Sequence, residues 1–415
     1  MQHNSVQRTS SLYSVQTALY GVLMRTALIS GAGIAGLSLA YWLTGHGFRV
    51  TVVERAPALR SGGQAIDIRG TAREVVTRMG LMDRIRAAHT GTHGIAMING
   101  KGEQVARMGG DAFGDSGGIV AELEILRGDL IRILHEALVP GSVEFLFGDT
   151  VTALAENATG VTATFGESGT RDFDIVVGAD GIRSGVRDLL FEADVRDLGY
   201  YSSYFPARMD IDFGGWELMY NEPGRAAIVY PVGDSGEVRT LFAFAGPEIP
   251  DARRDPKRVL AEVFDGAGWE VPGLLEQMWR TDDLFFDRAS EVRVPRWSRG
   301  RVVLLGDSAF GGSLGMGTSM ALVGAYVLAG ELSSSGHEQA FARYQDEMGE
   351  YVALNRKRPP GSGGFVPRTR TAIWLRNQFL RALPHLPGRK RMLGGIGKSA
   401  NAITLKTYTR SVSPA

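Results

Sequence analysis

Apolar positions come in two kinds of block along this chain. Thr26-Ala27-Leu28-Ile29-Ser30 is continuous and apolar, and Gly31-Ala32-Gly33-Ile34-Ala35-Gly36 follows it without a spacer. Leu37 to Leu43 continues at helical spacing, and Arg49-Val50-Thr51-Val52-Val53 is a second β-branched block ending at Glu54. Short blocks with no alternation suit strands buried on both faces of a parallel sheet, where consecutive strands need a helical crossover. The pattern returns in Asp174-Ile175-Val176-Val177-Gly178, which runs into Ala179-Asp180-Gly181. It returns again in Arg301-Val302-Val303-Leu304-Leu305, followed by Gly306-Asp307, four glycines between 311 and 317, and an apolar helix from Thr318 to about Leu332.

Elsewhere the pattern changes. Trp216 to Tyr220, Ala226 to Tyr230 and Val238 to Ala245 are aromatic and β-branched runs separated by Gly, Pro and Asn, which predicts antiparallel strands. Ile95 to Ile98 and Val105 to Met108, with Gly100 between, predict a hairpin belonging to the same sheet; Val75 to Ile85 and residues 126–138 predict helices. The expected fold is α/β: a Rossmann-like, three-layer nucleotide domain with an inserted, mostly antiparallel sheet domain and a C-terminal helical region. The expected boundaries are 25–90, 113–190 and 289–345 for the nucleotide domain, 91–112 and 191–288 for the inserted domain, and 346–415 for the C-terminal region. Residues 1–24 are expected to be a disordered extension.

The glycines and acids add chemistry. Gly31 permits a tight turn, Gly33 lets the backbone approach a pyrophosphate, and Gly36, beside Ala35, lets helix and strand pack closely. The helix N-terminus offers unpaired N–H groups to phosphate. Glu54, 18 residues beyond Gly36, is placed to accept from both hydroxyls of a ribose, which suits FAD or NAD in this site and disfavours a 2′-phosphate. Near the late strand, Gly315, Met316, Gly317 and Thr318 lead into a helix whose N-terminus favours negative charge, so backbone N–H groups there can approach a planar, electron-rich ring.

Composition narrows the field. The 45 basic and 45 acidic residues cancel, so nothing global steers the chain to nucleic acid. The absence of cysteine excludes disulfides, thiolate metal sites and cysteine nucleophiles. No apolar run is long enough to span a membrane, and a cytoplasmic location with no obligatory protein partner is expected. His46, His89, His93 and His135 lie in no metal-binding pattern. From residue 351 onward there are 13 Lys and Arg and no Asp or Glu, with Trp374, Leu375, Phe379 and Leu380 forming an apolar stripe.

The ordered combination of fingerprint, middle Asp-Gly segment and late Gly-Asp segment resembles the flavoprotein aromatic hydroxylases of the para-hydroxybenzoate hydroxylase type. The resemblance covers roughly residues 25 to 380, and is greatest to the subgroup with tetracycline-inactivating and polyketide-tailoring monooxygenases. It implies that Gly31, Gly33, Gly36 and Glu54 hold the ADP half of FAD and that Asp180 and Gly181 serve both FAD and a transient pyridine nucleotide. It also implies that Asp307 contacts the ribityl chain and that Arg127 reaches the FAD from the side. Arg55, and Arg69 in Asp67-Ile68-Arg69-Gly70, are placed either to approach nicotinamide phosphate or the flavin, or to make exposed salt bridges.

By the same resemblance the activity is an NAD(P)H- and O2-dependent hydroxylation of a small aromatic or polyketide-like substrate through C4a-hydroperoxyflavin. Phe213, Trp216, Met219, Tyr220 and Tyr230 are candidates for the substrate lining. Baeyer-Villiger insertion, flavin-dependent reduction or oxidation, and a noncatalytic FAD-holding role are the alternatives. The Trp-x-Trp-x-Ile-Pro motif of flavin-dependent halogenases is absent. The late segment also departs from the family's usual Ala-Ala-His or Ala-Ala-Tyr and proline, reading Ser308-Ala309-Phe310 with no proline.

Overall fold

The computed structural model describes residues 24–60, 62–109, 123–233, 236–313, 315–357, 366–387 and 395–409. The expected N-terminal extension therefore lies, but for Met24, outside the described residues. The first block forms the strand Thr26–Ser30 at the centre of a six-stranded sheet. Its neighbours, in order across the sheet, are Ile175–Gly178, Val302–Leu304 and the edge pair Ser298–Arg299 on one side, and Arg49–Glu54 then Val143–Phe147 on the other. All these pairings are parallel except the edge pair, so the unalternated blocks lie where both faces are covered.

One face carries the helices Ile34–Gly45 and Gly317–Ser334, which touch each other along their length. Both are apolar all round and almost wholly buried, as a helix enclosed on every side must be. The other face is closed by a three-stranded antiparallel sheet, Val151–Glu156, Val161–Phe165 and Thr170–Phe173, whose Val161, Ala163, Phe165 and Phe173 join the same core. That small sheet was not among the expected elements. The expected helix over Val75 to Ile85 is two helices, Thr71–Arg78 and Met82–Ala87, separated at Gly80, whose φ of 74° ends the first.

The inserted unit is a seven-stranded sheet in the order Phe285–Arg293, Asp194–Arg208, Glu237–Ala245, Arg225–Pro231, Glu217–Glu222, Gly94–Ile98, Gln104–Gly109. The hairpin expected around Gly100 does join it. The strand Phe285–Arg293 stays in this sheet past the expected boundary at 288, because Asp194 to Asp197 pair with it all the way to Arg293. One face of the sheet buries Phe205, Phe242, Val229 and Tyr220 under the helices Pro256–Phe264 and Val271–Arg280. The opposite face looks toward the nucleotide unit and is capped at one end by the helix Arg370–Ala382, through Leu380 and Leu383.

Residues 402–409 run as an extended strap across the nucleotide unit. Leu405 enters the main core, Thr71 donates to the Ile403 carbonyl at 3.1 Å, and Tyr326 donates to the Lys406 carbonyl at 2.7 Å. Glu331, buried in the long helix, accepts from Lys406 and Tyr408 at 2.8 Å each. No helix among the described residues is long and apolar enough to cross a membrane.

Candidate active site

Three glycine-bearing turns converge at the carboxyl ends of the central strands, where ligands of open α/β sheets bind. Gly31 has φ 107°, a conformation that only glycine adopts freely, and a Cβ there would come within 2.5 Å of the Ala179 carbonyl oxygen. A Cβ on Gly36 would overlap the Gly31 carbonyl oxygen outright. The turn is thus fixed by backbone contact with the middle motif as well as by its own helix. Gly33 is different: its open side faces only the Arg127 guanidinium, 3.8 Å from where a Cβ would sit. Neither the helix behind Gly33 nor the one behind Met316 has a side-chain cap or an acid in its first turn. Two helix N-termini therefore keep their donors for an anionic or electron-rich ligand.

The charged residues line up between these turns. Glu54 accepts the backbone N–H of Ala32 at 3.0 Å and of Ala56 at 2.9 Å, which holds the end of its strand against the glycine turn. Arg127 opens the helix Arg127–Glu136, and its backbone N–H is held by the Gln64 carbonyl at 2.9 Å. Burial lowers the Arg127 pKa, as does the nearby Arg60, while the fields of Asp307 and Glu54 oppose the change. Among the described residues the guanidinium has no hydrogen-bonded partner. Asp307 is open to solvent at its surface, yet it lies so deep that burial raises its pKa against the pull of Arg127 and Arg356. A carboxylate both reachable and surrounded by protein stands on the floor of a cleft. The acceptors Glu54 and Asp307, together with the donors of Arg127 and two uncapped helix ends, fit an elongated ligand with ribose hydroxyls, a pyrophosphate and a polar ring.

Asp180 has a further task. Its carboxylate accepts from Ser30, Ser184 and Ser308 and from the Val186 backbone N–H, so it ties the first strand, the middle turn and the late turn together. Ser308 completes this tie by accepting the Gly181 N–H at 3.0 Å. The departure from Ala-Ala-His is thus absorbed: Ser308 is a bridge between motifs, and Phe310 is buried against Trp297 at 5.0 Å between ring centroids. Met316 is buried, Gly317 and Thr318 are half-buried, and Gly315 is exposed with φ 72°. Gly315 faces Asp67, which pairs with the buried Arg69 at 2.7 Å. Arg69 is therefore not an exposed salt bridge, whereas Arg55 stands on the surface beside Glu54.

The antiparallel sheet forms the opposite wall. Its registers place Phe285, Tyr204, Leu241, Ile228, Met219 and Met97 in one row across the cleft-facing side. Burial raises the Tyr204 pKa, with Tyr200 adding to it. Tyr230 faces the same way and accepts the Ala65 N–H at 2.8 Å, joining the two units. Arg376, from the C-terminal helix, lies over Met219 at 3.8 Å, and burial lowers its pKa to about 10.

Side chains alternate across a strand, and that divides the five candidates for the substrate lining. Met219 and Tyr230 face the cleft. Tyr220 and Phe213 do not: they pack under the far helices, and Tyr220 donates to Glu222 at 2.6 Å. Trp216 precedes its strand and is held between the Arg107 guanidinium and His93. Tyr204, Leu241, Ile228 and Arg376 belong to the wall but were not among the expected residues; strand parity counted from Met219 and Tyr230 is the signal that finds Ile228.

Beside this wall, Glu217 and Glu124 are hydrogen-bonded to each other and almost fully buried, 6% and 8% exposed. Thr90 and Thr92 donate to Glu124 at 2.5 and 3.0 Å. Burial and mutual repulsion push the Glu217 carboxyl well up, so the pair holds a proton. No cluster of three potential metal ligands occurs among the described residues.

A cleft of glycine turns, helix ends and the charges of Glu54, Arg127 and Asp307, faced by an apolar sheet, is the arrangement that a dinucleotide-binding enzyme needs. The chain matches the family described as FAD binding domain over residues 24–349, and it belongs to that family, among the class A flavoprotein monooxygenases with FAD as cofactor. It is 33% identical over 399 residues to a flavin-dependent monooxygenase from an unknown prokaryotic organism, covering 92% of this chain and 98% of that one. The tetracycline destructase Tet(55) superposes with a TM-score of 0.76 at 30% identity, over 93% of this chain and 99% of that one. Klebsiella pneumoniae HpxO, solved with FAD and uric acid, shares the fold at 22% identity and a TM-score of 0.71, over 91% and 97% of the two chains.

Proposed function

We propose that this monooxygenase is self-contained, takes its electrons from NADH or NADPH, and hydroxylates a small aromatic or polyketide-like compound. The observation that carries the reading is the row of Phe285, Tyr204, Leu241, Ile228 and Met219 facing the cleft of Arg127 and Asp307. The chemistry supplied by bound FAD is acceptance of hydride from NAD(P)H and activation of O2, one atom passing to substrate carbon and the other to water.

The residues of the chain position and enclose. Glu54 would accept from the ribose, Gly33 and the helix behind it would meet the pyrophosphate, and Arg127, between Glu54 and Asp307, would hold the phosphates. The backbone from Gly315 to Thr318 and the helix N-terminus would hold the polar edge of the ring and favour negative charge there. The apolar row holds a flat substrate and keeps water away, while Arg376 offers a positive charge to an electron-rich, oxygen-bearing edge. NAD(P)H docks transiently at the lip near Arg183, whose guanidinium pairs with Asp287 beside the middle turn.

Two measurements test this. Rapid mixing with NADH and NADPH should bleach the flavin directly; failure with both, alongside reduction by a separate reductase, rejects the self-contained enzyme. Turnover of a panel of phenolic and polyketide-like compounds under heavy-oxygen-labelled O2 should place one labelled atom in the product. Product lacking the label rejects oxygenation, and ring expansion in place of a hydroxyl moves the assignment to Baeyer-Villiger insertion.

A further inference from the structure

The C-terminal helix Arg370–Ala382 has two unlike faces. Leu380, with Leu383 just beyond the helix, closes the end of the substrate sheet, and Arg376 reaches Met219. The other side presents Trp374, Leu375 and Phe379, which are 59%, 55% and 46% exposed, and Leu386 follows at 38%. These four are a large share of the ten exposed large apolar side chains among the described residues, gathered within 13 positions. A contiguous apolar patch of this kind on a folded surface marks an interaction site.

Charge says what it meets. Residues 351–415 hold 13 of the 45 Lys and Arg and none of the 45 Asp and Glu, so this end is strongly cationic while the preceding chain is net acidic. Arg368, Arg370 and Arg381 are exposed around the apolar side chains. At helical spacing Trp374, Leu375 and Phe379 fall within one arc of about 140°, with Arg370 and Arg381 along one border. The helix is 13 residues long, too short to span a bilayer and suited to lie in its surface. Aromatic and aliphatic side chains flanked by cations, on a segment that carries no acid of its own, match an anionic lipid headgroup layer over an acyl boundary.

We infer that Arg370–Ala382 is a membrane-surface helix, docking the protein on anionic lipid with Trp374, Leu375 and Phe379 inserted and Arg368, Arg370 and Arg381 on the headgroups. The acidic body then points away from the bilayer, and the helix face that closes the substrate sheet lies directly behind the lipid contact.

The test uses the full-length, FAD-loaded protein and vesicles of phosphatidylcholine with and without phosphatidylglycerol, read by flotation. Binding is expected to the anionic vesicles only, and to weaken steeply with salt. W374S/L375S/F379S should abolish it while FAD content and melting temperature stay unchanged, since these side chains are exposed. R370Q/R381Q should weaken it by about tenfold or more. No flotation with anionic vesicles, or equal flotation of the triple variant, overturns the inference. So does a wild-type dimer that the triple variant converts to monomer without any lipid binding, because the patch then faces a second copy of the chain.

Discussion

The two walls of the cleft are built by opposite means. The nucleotide wall is polar and backbone-made: glycine turns, helix ends and the charges of Glu54, Arg127 and Asp307. The sheet wall is apolar and side-chain-made, a row contributed by six strands from distant parts of the sequence. On the first wall one atom in the wrong place is intolerable. On the second, only the direction of a side chain matters, and neighbours one residue apart belong to different surfaces.

The largest effect should come from G36A. Its Cβ would overlap the rigid Gly31 carbonyl, so the glycine turn must open, and the variant is expected to purify colourless or insoluble. A yellow, stably FAD-loaded G36A protein would show that the turn does not fix the cofactor. Next is R127A. Removing the cation between Glu54 and Asp307 forfeits charged hydrogen bonds and leaves two carboxylates facing the phosphates, which should weaken FAD by about 2–3 kcal/mol in a titration of the apoprotein. Unchanged affinity in folded R127A would remove Arg127 from the proposed site.

A smaller effect separates the two faces of one strand. M219A should change KM and the fraction of NAD(P)H that ends as hydrogen peroxide by several-fold, with FAD binding intact. Y220F should leave both unchanged and lose only the hydroxyl bond to Glu222, about 1 kcal/mol of stability by thermal unfolding. The reverse result would mean that the substrate lies on the other face.

The smallest expected effect is on pH dependence. Because the folded carboxyl of Glu217 titrates above its unfolded value, the folded protein holds an extra proton, and stability falls as pH rises from the ordinary Glu range toward the raised value. E217Q mimics the protonated form. Its melting temperature should match wild type in acid and exceed it by about 2 °C in mild alkali. A parallel pH profile for the two proteins would show that this carboxyl is not protonated in the fold.

The contrast between the walls also explains what could be read from the sequence. Thr26–Ser30, Arg49–Glu54 and the helix behind Gly317 stand at or close to the positions expected from apolar blocks and glycine, because a forbidden Cβ or a doubly buried strand leaves its mark locally. Five of the seven sheet strands were legible as strands, whereas Asp194–Arg208 and Phe285–Arg293 were not, and Tyr220 and Phe213 face away from the cleft while Tyr204 and Leu241 face it. That depends on register, which non-adjacent partners set. Arg376 arrives from a helix 157 residues beyond Met219, with no local signal at either position. The three-stranded sheet over residues 151–173 went unseen because it buries only one face with short, polar strands.

The strap from Ile403 to Tyr408 has a consequence for how the molecule is made. Leu405, Lys406 and Tyr408 close over the helix that begins at the proposed flavin cradle, and in the order of synthesis they follow every strand of the nucleotide sheet. The nucleotide unit therefore cannot seal until the strap has been made, and its first strand must wait for partners near residues 176 and 303. A chain that stops short of Lys406 should be not a slightly shortened enzyme but one whose buried Glu331 has lost its counter-charge at Lys406, and quality control rather than catalysis decides its fate.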